Sequence, residues 1–236
     1  MAGGIKGRVF LSILKNLSRV RERINTAAFK SGRDPAEIQV VAVTKTVPVS
    51  VIREVTAYGV TSLGENRVQE FLRKYHHLPS ETEWHFIGHL QINKVKKIIG
   101  KVKLIHSLDR WALAEAINRA AGEAGCVADV LIQVNVAGEK TKHGLSVPEV
   151  KSFVADASKL PGLNIRGLMT IAPICNNPDE VRPVFRQMWE LFNSLKECYG
   201  AGMEFLSMGM SGDYEVAIEE GANILRIGTS IFGTRY

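Results

Sequence analysis

Apolar residues early in the chain fall at three- and four-residue steps: Phe10, Ile13, Leu14, Leu17, Val20, Ile24 and Ala27. That spacing predicts an amphipathic helix with one apolar stripe. Gly32 suits its C-cap, and Pro35 follows as a stop. Beyond this point the period changes, and β-branched runs alternate with helical patterns. Strands are predicted at 38–45, 60–66, 83–90, 103–109, 128–138, 164–173, 204–213 and 224–233, with 128–138 as the longest buried one. Helices are predicted at 48–59, 67–78, 91–99, 110–125, 146–160, 178–200 and 214–222. Ser146 and Glu149 form a capping box at the start of one of them, and Pro183 lies early in another.

Alternation of this kind implies right-handed βαβ units and a parallel sheet. Eight units in about 200 residues predict an α/β fold, a closed (β/α)8 TIM barrel with an additional N-terminal helix. An open doubly wound sheet is disfavoured, because no Gly-x-Gly-x-x-Gly turn follows the first strand. No linker or low-complexity segment divides residues 1–236, so a single domain is expected.

Charge changes this picture little. The net charge is +6, but eight Lys/Arg against Glu22 alone give residues 1–33 a charge of +7, leaving the remainder near neutral. A second basic run covers 93–103. Neither interleaves aromatics with its charges, so both read as solvated helix faces and no specific nucleic-acid partner is expected. Cys126, Cys175 and Cys198 have no metal-type spacing and read as reduced thiols of a cytoplasmic protein. No apolar run approaches a membrane span, and no secretory leader is recognisable.

In a barrel of this type the chemistry sits at the C-terminal ends of the strands. Those ends read "TKT" at 44–46, "GEN" at 64–66, "IGH" at 87–89, "HSLD" at 106–109, "NVAG" at 135–138, "MTIAP" at 169–173, "MGMSGD" at 208–213 and "RIGTS" at 226–230. Lys45 closes a run of small apolar residues, where a buried amine must pair, reach water or act as a nucleophile. Ser211, Gly212 and Asp213 lead into a helix, while Gly228, Thr229 and Ser230 follow the last strand. Phosphate cups are commonly built at these two strands, although Ser-Gly-Asp is also ordinary helix-start chemistry.

A lysine facing a phosphate cup suits a ligand with both an aldehyde and a phosphate, namely pyridoxal 5′-phosphate (PLP). A phosphosugar aldolase would use the same parts. Asn66 either approaches a bound ring or simply makes the turn. Arg226 shares a strand face with Gly228, so it meets either a pyridine nitrogen or a barrel acid such as Glu65 or Asp109. His85 and His106 read as structural, as does His89 by preference, and Cys175 has no histidine signature near it.

The strings "VAVTKTVP", "LGENRVQE", "WHFIGHLQINK", "HSLDR", "RGLMTIAP" and "SMGMSGDYEVAIEEGANILRIGTSIFGTR" resemble the YggS/PROSC family, the pyridoxal phosphate homeostasis proteins. The resemblance spans nearly the whole chain. It implies a barrel of the alanine racemase N-terminal type, with Lys45 holding PLP as a Schiff base. It implies phosphate contacts at Ser211, Gly228 and Thr229, Arg226 near the pyridine nitrogen, and Met208 and Asn66 beside the ring. The loop "NVAGEKTKHGL" departs from the family's usual form but keeps a lysine at Lys142.

A cationic arginine opposite the ring nitrogen would leave that nitrogen unprotonated and weaken the ring as an electron sink. Alanine racemases complete their site with a second domain that supplies a tyrosine base, and 236 residues leave no room for one. The expectation is therefore a monomeric carrier in vitamin B6 homeostasis that supplies PLP-dependent apo-enzymes, without robust turnover. A PLP-dependent racemase-like enzyme is the alternative.

Overall fold

The computed structural model describes residues 2–139 and 141–233, with side chains described from residue 12. Eight parallel strands close a barrel in sequence order: β1 (Gln39–Val43), β2 (Ser62–Glu65), β3 (Glu83–Phe86), β4 (Leu104–Leu108), β5 (Ala128–Val134), β6 (Leu163–Thr170), β7 (Phe205–Ser207) and β8 (Ile224–Ile227). β8 pairs with β1 from Gln39↔Ile224 to Ala42↔Ile227, which closes the ring. The (β/α)8 barrel and its leading helix are thus as the alternating pattern predicts.

Period-two alternation divides the side chains between two cores. Val41, Leu104, Leu131, Met169 and Ile224 form a small apolar cluster inside the barrel. The larger core lies between the barrel and its helices, and includes Ala42, Leu63, Phe71, Leu168 and Phe185. Those helices are α2 (Val49–Ala57), α3 (Val68–Tyr75), α4 (Trp111–Glu123), α5 (Val150–Ala157), α6 (Arg182–Tyr199), α7 (Tyr214–Glu219) and α8 (Thr229–Phe232).

The leading helix α1 (Ala2–Lys30) buries Ile13, Leu17, Val20, Ile24 and Ala27, with Leu14 partly covered. Phe10, expected on the same stripe, lies outside the described side chains, as do Lys6 and Arg8. α1 packs on α7 and α8. Its basic face meets the acidic face of α7 through Arg23–Glu215 and Lys30–Glu219, and the Arg33 guanidinium caps α7 by donating to the carbonyls of Ile218 and Ala222 at 2.9 and 2.7 Å. Much of the positive N-terminal segment is therefore intramolecular docking charge.

Several boundaries differ from the sequence reading for identifiable reasons. Segment 91–99 forms a 3-10 helix, Ile92–Lys97, and the helices predicted at 146–160 and 178–200 each begin with a 3-10 turn. Pro183 is the second residue of α6, where its missing N–H would have had no intrahelical partner. β6 has 8 residues against 7 in β5, although β5 keeps the longer unbroken buried run of the two. The final run 224–233 is a four-residue strand followed by α8, because Gly228 turns the chain and leaves Thr229 and Ser230 at a helix start.

Candidate functional site

A cavity of about 500 Å³ opens at the C-terminal ends of the strands. Lys45, Asn66, Ser211, Arg226, Gly228 and Thr229 all line it. Met208 does not: it is fully buried, its N–H bonded to the Ile224 carbonyl at 3.2 Å, and Met210 reaches the cavity instead.

Lys45 lies beyond the end of β1 and is exposed. The sequence reads as a buried amine, but Lys45 stands at the cavity mouth, and the chain turns beside it at Thr46, whose φ is +63°. A β-branched residue rarely adopts that conformation, at a cost of about 1–2 kcal/mol. A buried network holds the turn. The Lys74 ammonium, on α3, donates at 2.7 Å to the Thr44 carbonyl, to Glu65 Oε1 and to Glu70 Oε1. Thr44 Oγ1 donates to Glu65 Oε1 at 2.7 Å, and the Thr46 amide donates to Glu70 Oε1 at 2.5 Å.

The two carboxylates differ. Burial pushes the Glu65 carboxyl up, against the opposing pull of Lys74. Burial also acts upward on Glu70, but Lys74 and the Thr46 amide hold it below the usual carboxylate range. Sequence reasoning missed Lys74. Its spacing from Glu70 reads as an ordinary exposed i,i+4 pair, and only the outward face of β2 beneath α3 makes it a buried one.

Arg226 is buried in the barrel centre, at the floor of this cavity. It donates to Ser207 Oγ at 2.6 Å and to the Thr170 carbonyl at 2.8 Å. The two barrel acids considered for it are engaged elsewhere, Glu65 by Lys74 and Asp109 by Arg110. Glu65 faces outward toward the helices, which is why it does not reach Arg226. Burial lowers the guanidinium to about 10, and Asp213 opposes that shift from a distance. Arg226 therefore remains a cation at neutral pH, with no carboxylate within ion-pair distance among the described residues.

Below Arg226 the polar chain continues. Ser207 Oγ lies 3.0 Å from His106 Nδ1, and His106 Nε2 lies 2.9 Å from His85 Nδ1. Arginine can only donate, so Ser207 Oγ accepts from it and turns its own proton to His106 Nδ1. His106 then carries its proton on Nε2 and donates to His85 Nδ1, and both rings are neutral. Burial pushes His85 down to about 4 and His106 well below its ordinary value.

This arrangement has a pH consequence. Between pH 6.5 and about 4 the unfolded chain holds a proton on His85 that the folded chain refuses, so stability falls with falling pH. His85 alone accounts for about 3 kcal/mol over that window, and His106 acts in the same sense. Glu65 and Asp213, whose carboxyls burial raises, act in the opposite sense. Urea titrations across the window should therefore show a smaller acid-side loss in a His85→Gln/His106→Gln variant than in the wild type. An unchanged pH slope would contradict neutral buried rings.

On the opposite wall, Ser211 Oγ accepts from the Gly228 amide at 3.3 Å and the Ser230 amide at 3.1 Å, and Ser230 Oγ donates to the Ser211 carbonyl at 3.2 Å. Asp213 shapes this loop by accepting from the Met210 amide at 2.6 Å. Hydroxyls and amides thus converge where the cavity meets Gly228 and Thr229. Asn66 is placed by contact of its backbone with Gly88, where an added Cβ would sit 2.2 Å from the Asn66 carbonyl oxygen.

Residues 16–236 match the model of the alanine racemase N-terminal domain. The chain belongs to that family. Within it, the chain is a member of the YggS/PROSC group: it is 50% identical over 226 residues to the pyridoxal phosphate homeostasis protein of Aquifex aeolicus, covering 95% of this chain and 99% of that one. Among solved structures, PipY of Synechococcus elongatus with PLP bound superimposes with a TM-score of 0.82 at 35% identity, over 94% of this chain and 100% of that one. A protein of unknown function from Bifidobacterium adolescentis gives a TM-score of 0.90 at 32% identity, over 95% and 96% of the two chains. The matched residues, 16–236, span the positions of the lysine turn, the buried arginine and the Ser-Gly cup.

Proposed function

We propose that this protein binds PLP in the barrel-mouth cavity, holds it through a Schiff base at Lys45, and serves intracellular vitamin B6 homeostasis and cofactor supply without robust turnover. The observation that carries this reading is the convergence of three features on one cavity: a reachable amine, a buried cation with no carboxylate in ion-pair reach among the described residues, and a hydroxyl–amide cup. The PLP bound to the related PipY structure supports it.

Bound there, PLP supplies an aldehyde for amine chemistry and a phosphate as a handle. The chain's own residues set the rest. Lys74 and Glu70 fix the turn that presents Lys45. Ser211, Gly228 and Thr229 would hold the phosphate, with the Ser230 amide beside them. Arg226 would face the ring nitrogen and keep it free of a proton, because the guanidinium keeps its own at neutral pH. Asn66 would flank the ring. Free cysteines at Cys126, Cys175 and Cys198 support a cytoplasmic setting, and no helix among the described residues is long and apolar enough to cross a membrane.

Direct handover is the distinguishing property of a carrier. PLP-loaded protein is expected to activate a PLP-dependent apo-enzyme in the presence of an agent that traps free PLP, and Lys45→Ala protein is not. Activation abolished by the trap would contradict the supply role. Steady Lys45-dependent racemisation of amino acids would favour the racemase-like reading instead.

A further inference from the structure

His89 and His143 stand together at the rim of the cavity, on the loops after β3 and β5. Their rings are stacked, with centroids 3.9 Å apart and planes 19° from parallel. Each turns its Nδ1 toward the same atom, Asp109 Oδ2, at 3.6 Å for His89 and 3.9 Å for His143. The three ligand atoms lie within 4.8 Å of one another. The Asp109 side chain is only 5% exposed, and Arg110 engages its other oxygen, Oδ1, which leaves Oδ2 for the histidines.

We infer that His89, His143 and Asp109 form a binding site for one late first-row divalent cation, zinc by its donor set. Two imidazoles and a carboxylate suit zinc and its neighbours better than magnesium or calcium, which prefer oxygen alone. Donor pairs around tetrahedral zinc lie about 3.3 Å apart, so the present spacings need to close by only about half an ångström for each histidine–aspartate pair. The stacked rings would splay as they close. His143 is free to do so, being 59% exposed on a loop. Arg110 on Oδ1 is the kind of outer partner that orients a metal-bound carboxylate.

Three protein ligands leave a fourth position open. His89 and His143 line the cavity and Asp109 does not, so the open position faces the space that Lys45 also lines. A water or an anionic group of a second ligand, such as the carboxylate of an amino acid, would complete the coordination. This inference stands whether or not Lys45 anchors PLP, since none of the three ligands belongs to the lysine turn or the phosphate cup.

The test is zinc titration of the tag-free full-length protein after chelator treatment, in competition with a chromophoric zinc indicator. One equivalent is expected to bind, with affinity lowered more than about 100-fold in His89→Ala and in His143→Ala. A Cys126→Ser/Cys175→Ser/Cys198→Ser variant should bind as the wild type does. Cobalt substitution should give the visible bands of a four-coordinate site, and these should vanish in His143→Ala. His143 is exposed, so its substitution leaves folding intact, as circular dichroism will check. No zinc uptake, or uptake unchanged in both histidine variants, would overturn the inference.

Discussion

Replacing Lys74 with methionine is expected to lower the unfolding free energy by about 3–5 kcal/mol, the usual cost of removing one partner from a buried ion pair. Lys74 is 6% exposed and Glu65 fully buried, and the ammonium answers three acceptors at once. Without it, Glu65 Oε1 keeps only the Thr44 hydroxyl, and Glu65 Oε2 already has no partner. Glu65 in the variant should take up a proton more readily, so the deficit should shrink as pH falls. A Lys74→Met/Glu65→Leu variant should recover much of the loss, because two matched apolar residues leave no buried charge. Lys151→Met, at an exposed position of α5, is the control, with an expected change within about 0.5 kcal/mol. Urea titrations of the four proteins at neutral pH check this. Equal stability of Lys74→Met and Lys151→Met would show that Lys74 is not the buried clamp described. A loss of PLP binding in Lys74→Met beyond what its stability explains would mark Lys74 as a positioning residue for Lys45, since it bonds directly to the Thr44 carbonyl.

The second large effect is expected at Gly167. The pairing of β5 with β6 shifts register here: Val130 pairs with Ile165, while Leu131 pairs with Gly167. Gly167 has φ +149°, and a Cβ at this position would lie 1.8 Å from the Phe205 carbonyl oxygen on β7. A backbone atom cannot swing aside as a side chain can, so Gly167→Ala must push β6 away from β7. The expected cost exceeds about 4 kcal/mol, enough to leave much of the protein insoluble. Gly100→Ala separates conformation from clash. Its φ is +73°, but nothing lies within 4 Å of its added Cβ, so only the backbone cost of about 1–2 kcal/mol is expected. Similar melting shifts for the two variants would contradict the steric account.

The barrel was legible because its signal is repeated. Strand runs alternating with helices recur around the ring, and a local error such as the length of the final strand leaves the topology unchanged. Lys45, Ser211 and Gly228 were legible for a related reason: each stands where an apolar run stops, and the barrel gathers those stops at one end. Period-two alternation also put Arg226 on the inner face, but its partners are Ser207 and Thr170, contributed by two other strands. His85 and His106 read as structural, and they form the floor of the same polar chain, a link set by barrel closure and not by sequence spacing. Lys74 was hidden by its ordinary helical context. The turn at Thr46 was hidden because threonine gives no sign of a positive φ. Each of these depends on which strand faces which helix, which is tertiary information.

The central claim is that Lys45, alone among the exposed amines, carries the cofactor. The most direct measurement is to load the protein with stoichiometric PLP, reduce it with borohydride, digest it and locate the modified lysine by mass spectrometry. The account predicts one phosphopyridoxyl group on Lys45, and none at stoichiometric PLP in Lys45→Ala. Labelling that is absent, or that falls with equal yield on other lysines while sparing Lys45, would contradict it.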